Sequence, residues 1–425
     1  MATTPPPRDR FFLAYAIFFI QGVSMLLPWN VFITASEYFT VAFSGGHFAG
    51  NFQNYFSISF CLINLIFVFA AMLRQHKANF PRQIVISHSI NFAIFIIVIV
   101  LIKIPNIAPN TYFAIILVLM SITGITSSYL QNALYGLAAR LPPMYVQGFL
   151  TGQGLAGLIS SVVPLAIAFM SDAETASTVE SVNRRAIIYF AFSAALVLLS
   201  IVTYLLMRQL PIYRYYNRSS KMAHQANAAV LQSYSRKDML CVAQSIWKYG
   251  LAILLTLFVT LALFPSITAS ITSTRPNEAR WRSREIFVLI HFVIFNAGDM
   301  LGKMLPALLP VRNDRALLLL SLLRMASAPL FVLSNVQYGT GDLAARSTPV
   351  VFGDAVYYII LSVFSISNGW VGTCVMMFGP EKVAEPDRGY SGMMLSVLLT
   401  AGLELGSLAS FAVRAGICNC NSFMS

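Results

Sequence analysis

Long apolar runs recur along the whole 425-residue chain, and polar residues gather in the stretches between them. A run of about 20 apolar residues forms a helix long enough to cross the roughly 30 Å hydrocarbon core of a bilayer. The pattern therefore predicts an all-α membrane protein of about eleven transmembrane helices. We number these spans first to eleventh, near residues 11–35, 55–73, 84–104, 111–138, 147–170, 186–208, 246–270, 285–308, 315–335, 352–377 and 391–413.

One polar stretch is longer and more basic than the other connections. Residues 209–245 set Arg and Lys among Tyr, Ser, Gln and Asn, and they separate six spans from five. The sequence thus predicts an N-terminal bundle over residues 1–208, a basic cytoplasmic loop over 209–245 and a C-terminal bundle over 246–425.

Composition agrees with a chain that is solvated mainly by lipid. Hydrophobic residues make up 57% and charged residues 10%, against about 45–50% and about 25% in a soluble domain. The net charge of +12 would suggest nucleic acid in a soluble protein. Here the basic residues lie in loops beside the spans, so topology explains the charge and no nucleic-acid partner is expected.

The positions of Lys and Arg predict the orientation. A cytoplasmic N-terminus places Arg74, Arg82 and Arg140 inside, leaves the Lys- and Arg-free Glu37–Tyr55 loop outside and, with eleven spans, makes the C-terminus external. The main exceptions are external arginines: Arg184, Arg185, Arg275, Arg280, Arg282 and Arg284. The short N-terminal tail has no dileucine sorting signal, which favours the plasma membrane, with a vacuolar or lysosomal membrane as the alternative.

The eighth span carries the most informative polar residues. Phe292, Asn296, Asp299 and Lys303 follow one another in steps of four, three and four, so they share one helical face. Asp299 and Lys303 can neutralise each other within the membrane. Our hypothesis is that Asp299 accepts hydrogen bonds from solute hydroxyls while Lys303 donates. The alternatives are a structural ion pair between helices and a Lys303 side chain that extends to the interface.

Two other spans offer groups suited to a heterocycle. Pro28 removes a backbone donor from the first span and is expected to kink it beside Trp29. Trp29 would then stack on a planar ring, or else anchor the span at the membrane interface. Gln131 in the fourth span both donates and accepts, which suits the edge of a base or a bond between helices.

The remaining candidates are small residues, an amide and an acid. Gly152 and Gly157 belong to small-residue faces in the fifth span, for which close helix packing is favoured over substrate contact. Asn368 lies in a polar break of the tenth span that suggests a hinge or gate. Glu404 is an isolated acid in the last span, which predicts a protonated carboxyl, a pair with a distant Arg or Lys, or a role in proton coupling.

Catalytic signatures are missing from the sequence. It contains no P-loop, no His-Glu-x-x-His pair and no nucleophile elbow. The five histidines are too dispersed for a metal cluster. We therefore expect a protein that is not an enzyme, with no cofactor and no metal, in which a solute or ion gradient supplies the energy for transport.

Taken together, several motifs resemble the equilibrative nucleoside transporter family across nearly the whole chain. They occur in the first, fourth, fifth, seventh, eighth, tenth and eleventh spans. The matching residues are Leu26-Leu27-Pro28-Trp29-Asn30, Gln131 through Leu141-Pro142, Thr151 through Gly157, Phe264-Pro265, Phe295 through Lys303, Ser367-Asn368-Gly369 with Phe378-Gly379-Pro380, and Gly402 through Ser407.

The resemblance implies a major-facilitator-like arrangement of six plus five spans that binds a nucleoside. By matched position, Trp29 and Gln131 face the base, Asp299 and Lys303 hold the ribose, and Asn296 and Phe292 line the neighbouring wall. The predicted substrate-binding residues are thus Trp29, Gln131, Asp299, Lys303, Asn296, Phe292 and Leu26, and the predicted gating or packing residues are Asn30, Gly152, Gly157 and Asn368.

Two positions depart from the family pattern. The position of Lys303 is usually arginine in the family, and an ammonium lacks the planar fork of a guanidinium. Glu404 stands where many members carry a small or apolar residue, so Glu404, together with Glu37, is a candidate for proton coupling.

Our main hypothesis is a facilitative uniporter for nucleosides such as adenosine or uridine that works by alternating access, with no required protein partner. Nucleobase transport, proton-coupled symport and a nucleoside-binding receptor stay open as alternatives.

Overall fold

The computed structural model describes residues 7–74, 79–104, 107–170, 179–217, 236–337 and 349–418. Eleven helices in these ranges are long and apolar enough to cross a membrane, which confirms the predicted class and number of spans. Among the described residues, extended pairing is limited to one isolated bridge, between Ile271 and Val336. Much of the predicted basic loop, residues 218–235, lies outside the described residues.

Most helix ends lie within a few residues of the predicted ones, but the sixth helix begins at Val179 and the seventh at Arg236, so residues 236–245 of the predicted loop are helical. The ninth span is interrupted by a 3₁₀ turn at Arg324–Ala326, and a short helix, Ser36–Ala42, follows the first span. The helices of the spans are Leu13–Thr34, Phe52–Leu73, Phe80–Lys103, Pro109–Ala138, Pro143–Met170, Val179–Met207, Arg236–Leu263, Arg284–Met304, Asp314–Leu323 with Ser327–Val332, Asp354–Phe378 and Arg388–Cys418.

Local chemistry explains where several helices begin. The Asn79 side chain accepts a hydrogen bond from the backbone N–H of Arg82 at 3.3 Å, and Asn313 accepts from Arg315 at 2.9 Å. Each amide satisfies a backbone donor that the first helical turn leaves without a partner. Pro109 opens the fourth span, where the missing N–H of proline costs nothing.

The outer surface of the helices is apolar. On the second span, Ile58, Leu62, Ile66 and Phe69 follow one another at helical spacing, and each is about half exposed or more. Such a continuous exposed stripe is unusual on a soluble monomer. It fits a helix surrounded by lipid and supports a multi-pass membrane protein.

The chain divides into two compact units. Unit 1 is drawn from residues 1–156, 172–245 and 380–397, and unit 2 from residues 157–171, 246–379 and 398–425. The fifth and eleventh spans therefore each contribute to both units. The domain boundaries read from the sequence stay a prediction.

Aromatic rings form the core of unit 1. Phe32, Phe39, Phe43 and Phe190 are almost fully buried and pack against one another. The Phe39 and Phe43 rings stack with their centroids 5.5 Å apart, and Phe32 meets Phe190 edge to face at 5.4 Å. Such pairs add specific geometry to apolar burial, so they fix the packing of the first and sixth spans.

A buried polar chain joins three spans of unit 1. Gln21 Nε2 donates to the Ser200 carbonyl at 2.8 Å, while Gln21 Oε1 lies 2.9 Å from His88 Nε2. An amide oxygen only accepts, so His88 donates from Nε2 and its Nδ1 faces the Ser24 hydroxyl at 3.5 Å. The first, third and sixth spans are thereby tied together at side chains that water does not reach.

In unit 2, glycines let the eighth and tenth spans approach at backbone distance. A Cβ at Gly302 would overlap the Ile366 carbonyl and lie 2.9 Å from the Trp370 nitrogen. A Cβ at Gly369 would overlap the Asp299 carbonyl and lie 2.8 Å from the Lys303 nitrogen. Small residues at such crossings allow close helix packing in a membrane.

Two of the arginines that depart from the expected charge distribution form ion pairs with nearby carboxylates. Arg185 pairs with Glu37 at 2.9 Å. Arg282 pairs with Glu278 and lies 3.7 Å from Asp354. These contacts give Arg185 and Arg282 a role in fixing the connections between spans.

The glycine contacts generate a prediction about packing. Gly302→Ala forces the eighth and tenth spans apart, and overpacking of this kind costs about 1–3 kcal/mol of stability. We expect the melting temperature of the purified protein in detergent to fall by several degrees.

Gly353→Ala is the matched control, because no described atom beyond the immediate chain neighbours lies within 4 Å of a Cβ at Gly353. Equal melting temperatures for the Gly302→Ala and Gly353→Ala variants would show that the close approach of the two spans is unimportant for stability.

Candidate functional site

The predicted ion pair of the eighth span is present in unit 2. Lys303 Nζ lies 2.6 Å from Asp299 Oδ2, and the two side chains are only 15% and 10% exposed. At this separation the pair is a charge-assisted hydrogen bond. An Asp299 or Lys303 side chain alone would be costly to bury, so each charge permits the other.

Asn368 supplies the second contact of the carboxylate. Its Nδ2 donates to Asp299 Oδ1 at 2.7 Å, so the tenth span joins the eighth at this group. Each carboxylate oxygen accepts one protein hydrogen bond in this arrangement, and each retains a second lone pair. Asp299 therefore keeps the capacity to accept from the hydroxyls of a bound solute.

Arg324 and Thr260 fix the orientation of the Asn368 amide. Thr260 Oγ1 lies 2.7 Å from Asn368 Oδ1, and Arg324 Nη2 lies 3.4 Å from the same oxygen. A reversed amide would set its NH₂ group against a guanidinium and its oxygen against the carboxylate of Asp299. Electrostatics thus selects the observed orientation.

The Arg324 side chain is buried in the ninth span. Its guanidinium donates to the Phe364 carbonyl at 2.6 Å, to the Ser367 hydroxyl and, at 2.7 Å, to Thr260 Oγ1. It also lies over the Phe364 ring, 4.4 Å from the centroid. These contacts satisfy most of its donors and compensate for its removal from water.

Sequence reasoning missed both Arg324 and Thr260. The available signal was an arginine within the apolar run of the ninth span, because an ionisable residue at that position marks a functional site by default. Thr260 carries no such signal, since threonine is common in apolar helices. We define the Asp299 cluster as Asp299, Lys303, Asn368, Arg324 and Thr260.

The other predicted residues of the eighth span lie along the same helix. Asn296 Nδ2 donates to the Phe292 carbonyl one turn earlier at 2.9 Å. A Cβ at Gly157 would lie 2.6 Å from Asn296 Oδ1, so Gly157 makes room for this amide. The Phe292 ring is partly buried and meets Phe264 edge to face at 5.4 Å.

Trp29 lies in the first span, within unit 1. The helix runs unbroken through Pro28, and the Trp29 ring packs against Phe60 with centroids 4.7 Å apart and an interplanar angle of 30°. Leu26 and Asn30 are partly buried on the same helix, and the buried Asn30 Nδ2 has no hydrogen-bond partner within the part of the chain that the structure describes. Trp29 and Asn30 thus offer an aromatic surface and a buried amide donor.

Gln131 is buried in the fourth span. Its Nε2 donates to the Ser396 hydroxyl of the eleventh span at 3.0 Å. This contact is the bond between helices that the sequence allowed as the alternative to base recognition. A base that took the same N–H of Gln131 would have to displace Ser396.

The structure gives the remaining candidates distinct surroundings. A Cβ at Gly152 would overlap the Phe19 carbonyl, so the fifth span packs closely on the first. The tenth helix is continuous through Asn368. Glu404 is partly buried in the eleventh span, whereas Glu37 is 55% exposed in its pair with Arg185.

A cavity of about 400 Å³ in unit 2 lies beside a different set of residues, including Thr272–Thr274, Asn335 and Arg284. None of the predicted binding residues lines it. Within the described ranges, no three His, Cys, Asp or Glu residues are grouped as a metal site would require.

Comparison with known proteins shows which family the chain resembles. The family described as nucleoside transporter matches residues 114–415. Equilibrative nucleoside transporter 2 of Homo sapiens is 29% identical, with 98% of this chain and 100% of the relative covered. Equilibrative nucleoside transporter 1 of Rattus norvegicus is 26% identical, with the same coverage of both chains.

Solved structures show the same fold at low sequence identity. A proton:xylose symporter of the major facilitator superfamily is 13% identical, with a TM-score of 0.62 and coverage of 97% of this chain and 90% of that protein. The fucose:proton symporter of E. coli is 14% identical, with a TM-score of 0.56 and 98% of each chain covered. The family match spans more than half of the chain, so this multi-pass membrane protein belongs to the nucleoside transporter family, a family of transporters rather than enzymes.

Proposed function

We propose that the chain is a facilitative nucleoside transporter that carries its substrate down a concentration gradient by alternating access. The observation that carries the proposal is the Asp299 cluster, in a chain that belongs to the nucleoside transporter family. Asp299 accepts from ribose hydroxyls and Lys303 donates to them. No bond of the solute is made or broken.

The chemistry of the pair suits a neutral, hydroxyl-rich solute. Asp299 has lone pairs available on both oxygens, and the Lys303 ammonium carries three donor hydrogens. A ribose offers hydroxyls that both donate and accept, so it matches both partners at once. In the proposed mechanism Trp29 stacks on the base, with Gln131, Leu26, Asn296 and Phe292 as the other binding residues, and alternating access exposes the solute to one side of the membrane at a time.

Because position 303 is a lysine and not an arginine, we expect the ribose to be held by fewer contacts at this position. A lysine presents one compact charge, whereas arginine presents a planar fork that grips two acceptors. We propose that Lys303 contacts a single hydroxyl and leaves the other hydroxyls to Asp299. Recognition of those other hydroxyls then depends on Asp299 alone.

Removal of either charge of the pair should strongly reduce transport. We expect Asp299→Asn and Lys303→Ala to lower uptake of radiolabelled adenosine and uridine into proteoliposomes at least about tenfold, which corresponds to about 1.4 kcal/mol of lost binding. Lys303→Arg keeps the positive charge and should retain most of the uptake.

The Lys248–Asp314 pair is the matched control. Its atoms lie 3.5 Å apart, and the side chains are 25% and 26% exposed. Asp314→Asn should leave uptake close to that of the wild-type protein. Normal uptake in the Asp299→Asn variant would instead assign a structural role to the pair, and saturable binding without counterflow in the wild-type protein would favour a receptor.

We also propose uniport rather than proton symport. Hydrogen bonds to a neutral solute can replace hydrogen bonds between protein groups in the Asp299 cluster without any change in charge. The expected result is that uptake into proteoliposomes is the same with and without an imposed proton gradient, and that Glu404→Gln and Glu37→Gln transport like the wild-type protein.

Uphill accumulation driven by a proton gradient would contradict uniport. If that accumulation were lost in Glu404→Gln and kept in Glu37→Gln, Glu404 would be the coupling residue. The exposed ion pair of Glu37 with Arg185 makes it a useful second acid for this comparison. The same assay with labelled nucleobases tests whether the sugar is required.

The proposed location is the plasma membrane, with the N-terminus in the cytoplasm and the C-terminus outside. The distribution of Lys and Arg supports the orientation, ion pairs hold two of the exceptional arginines, and the short N-terminal tail without a dileucine signal supports the location. An epitope tag at the C-terminus should bind antibody on intact cells, whereas an N-terminal tag should require permeabilised cells. The reverse pattern would refute the orientation, and labelling confined to internal membranes would refute the location.

A further inference from the structure

The Asp299 cluster contains more positive than negative charge. Asp299 is its one carboxylate, whereas Lys303 and Arg324 are both cations. Lys303 contacts the carboxylate directly at 2.6 Å. Arg324 is linked to the carboxylate through Asn368. Arg324 Nη2 lies 3.4 Å from Asn368 Oδ1, and Asn368 Nδ2 donates to Asp299 Oδ1 at 2.7 Å.

The two cations differ in what holds them. Arg324 is almost fully buried, and its donors are directed at the Phe364 carbonyl, the Ser367 hydroxyl and Thr260. Lys303 is held to the carboxylate by a flexible stem, and its side chain is 15% exposed. Arg324 is therefore the fixed cation, and Lys303 is the cation that can move.

Moving Lys303 would be costly if it were the only counter-charge. To contact a solute, its ammonium must give up part of its interaction with Asp299. Separating a buried carboxylate from its sole partner costs several kcal/mol. A second cation that stays in place lowers that cost, because the carboxylate keeps a compensating charge and the Asn368 hydrogen bond.

We propose that Arg324 is a positioning residue that holds Asn368 on Asp299 and balances the carboxylate when Lys303 turns to the solute. The inference rests on the proposed function, since it explains how the Asp299–Lys303 pair can open for a nucleoside. Arg324 itself makes no contact with the solute.

A stability cycle tests the charge balance without any transport measurement. Lys303→Gln alone should lower the melting temperature of the purified protein only slightly, because Arg324 still compensates Asp299. Lys303→Gln combined with Arg324→Gln should lower it by several degrees more than the sum of the two single changes. Adding Asp299→Asn to that double variant should recover most of the extra loss, and Arg324→Lys in place of Arg324→Gln should prevent it.

The proposal would be overturned if the losses of melting temperature in Lys303→Gln and Arg324→Gln were additive, or if Asp299→Asn recovered none of the loss. Arg324 would then only stabilise the packing between helices. If Arg324→Gln does not reach the membrane, Asn368→Leu replaces it in the cycle. Asn368→Leu cuts the link and keeps every charge, so the same non-additive loss with Lys303→Gln is expected, and an additive loss refutes the role of Asn368.

Uptake provides the second readout. Arg324→Gln should raise the KM for adenosine at least about tenfold, because opening the pair becomes costly, while Arg324→Lys should stay closer to the wild-type value. An unchanged KM in Arg324→Gln would also overturn the proposal. Absence of uptake by the wild-type protein would refute the proposed function and leave the stability cycle interpretable, so the two failures are distinguishable.

Discussion

A carboxylate stays inside a membrane-spanning helix only where protein groups replace the water around it. Asp299 meets this condition through Lys303 on its own helix and Asn368 on the tenth span. Arg324 and Thr260 then hold Asn368, which brings in the seventh and ninth spans. Four helices of unit 2 therefore meet at one negative charge.

The packing of the helices makes this chemistry possible. Gly302 and Gly369 allow the eighth and tenth spans to approach until a Cβ on one would overlap the backbone of the other. Asn368 immediately precedes Gly369, so the same close approach brings a short amide side chain within 2.7 Å of the carboxylate. If the eighth and tenth spans were farther apart, a longer side chain would be needed to reach the carboxylate. The remaining lone pair on each Asp299 oxygen would then be less precisely directed.

Local pattern explains what could be predicted from the sequence. Apolar runs specify the spans, and spacings of three and four place Phe292, Asn296, Asp299 and Lys303 on one face. The partners of Asn368 and Gln131 could not be predicted in this way. Arg324 lies 44 residues from Asn368 along the chain, and Ser396 lies 265 residues from Gln131. No periodicity encodes such pairs. The buried arginine itself was visible in the sequence, but only the fold shows which side chains it contacts.

The charge of the cluster also bears on the release of a solute, which is half of any transport cycle. A site that carries cargo must bind it well enough to load and weakly enough to unload. At the proposed site, an anionic solute would add a second negative charge beside two cations, Lys303 by direct contact and Arg324 through its field, and would be held strongly. A cationic solute would be repelled by both. In the proposed site, a neutral polyol would exchange hydrogen bonds for hydrogen bonds at Asp299 and Lys303 and leave the number of charges unchanged, so loading and unloading would differ little in electrostatic energy.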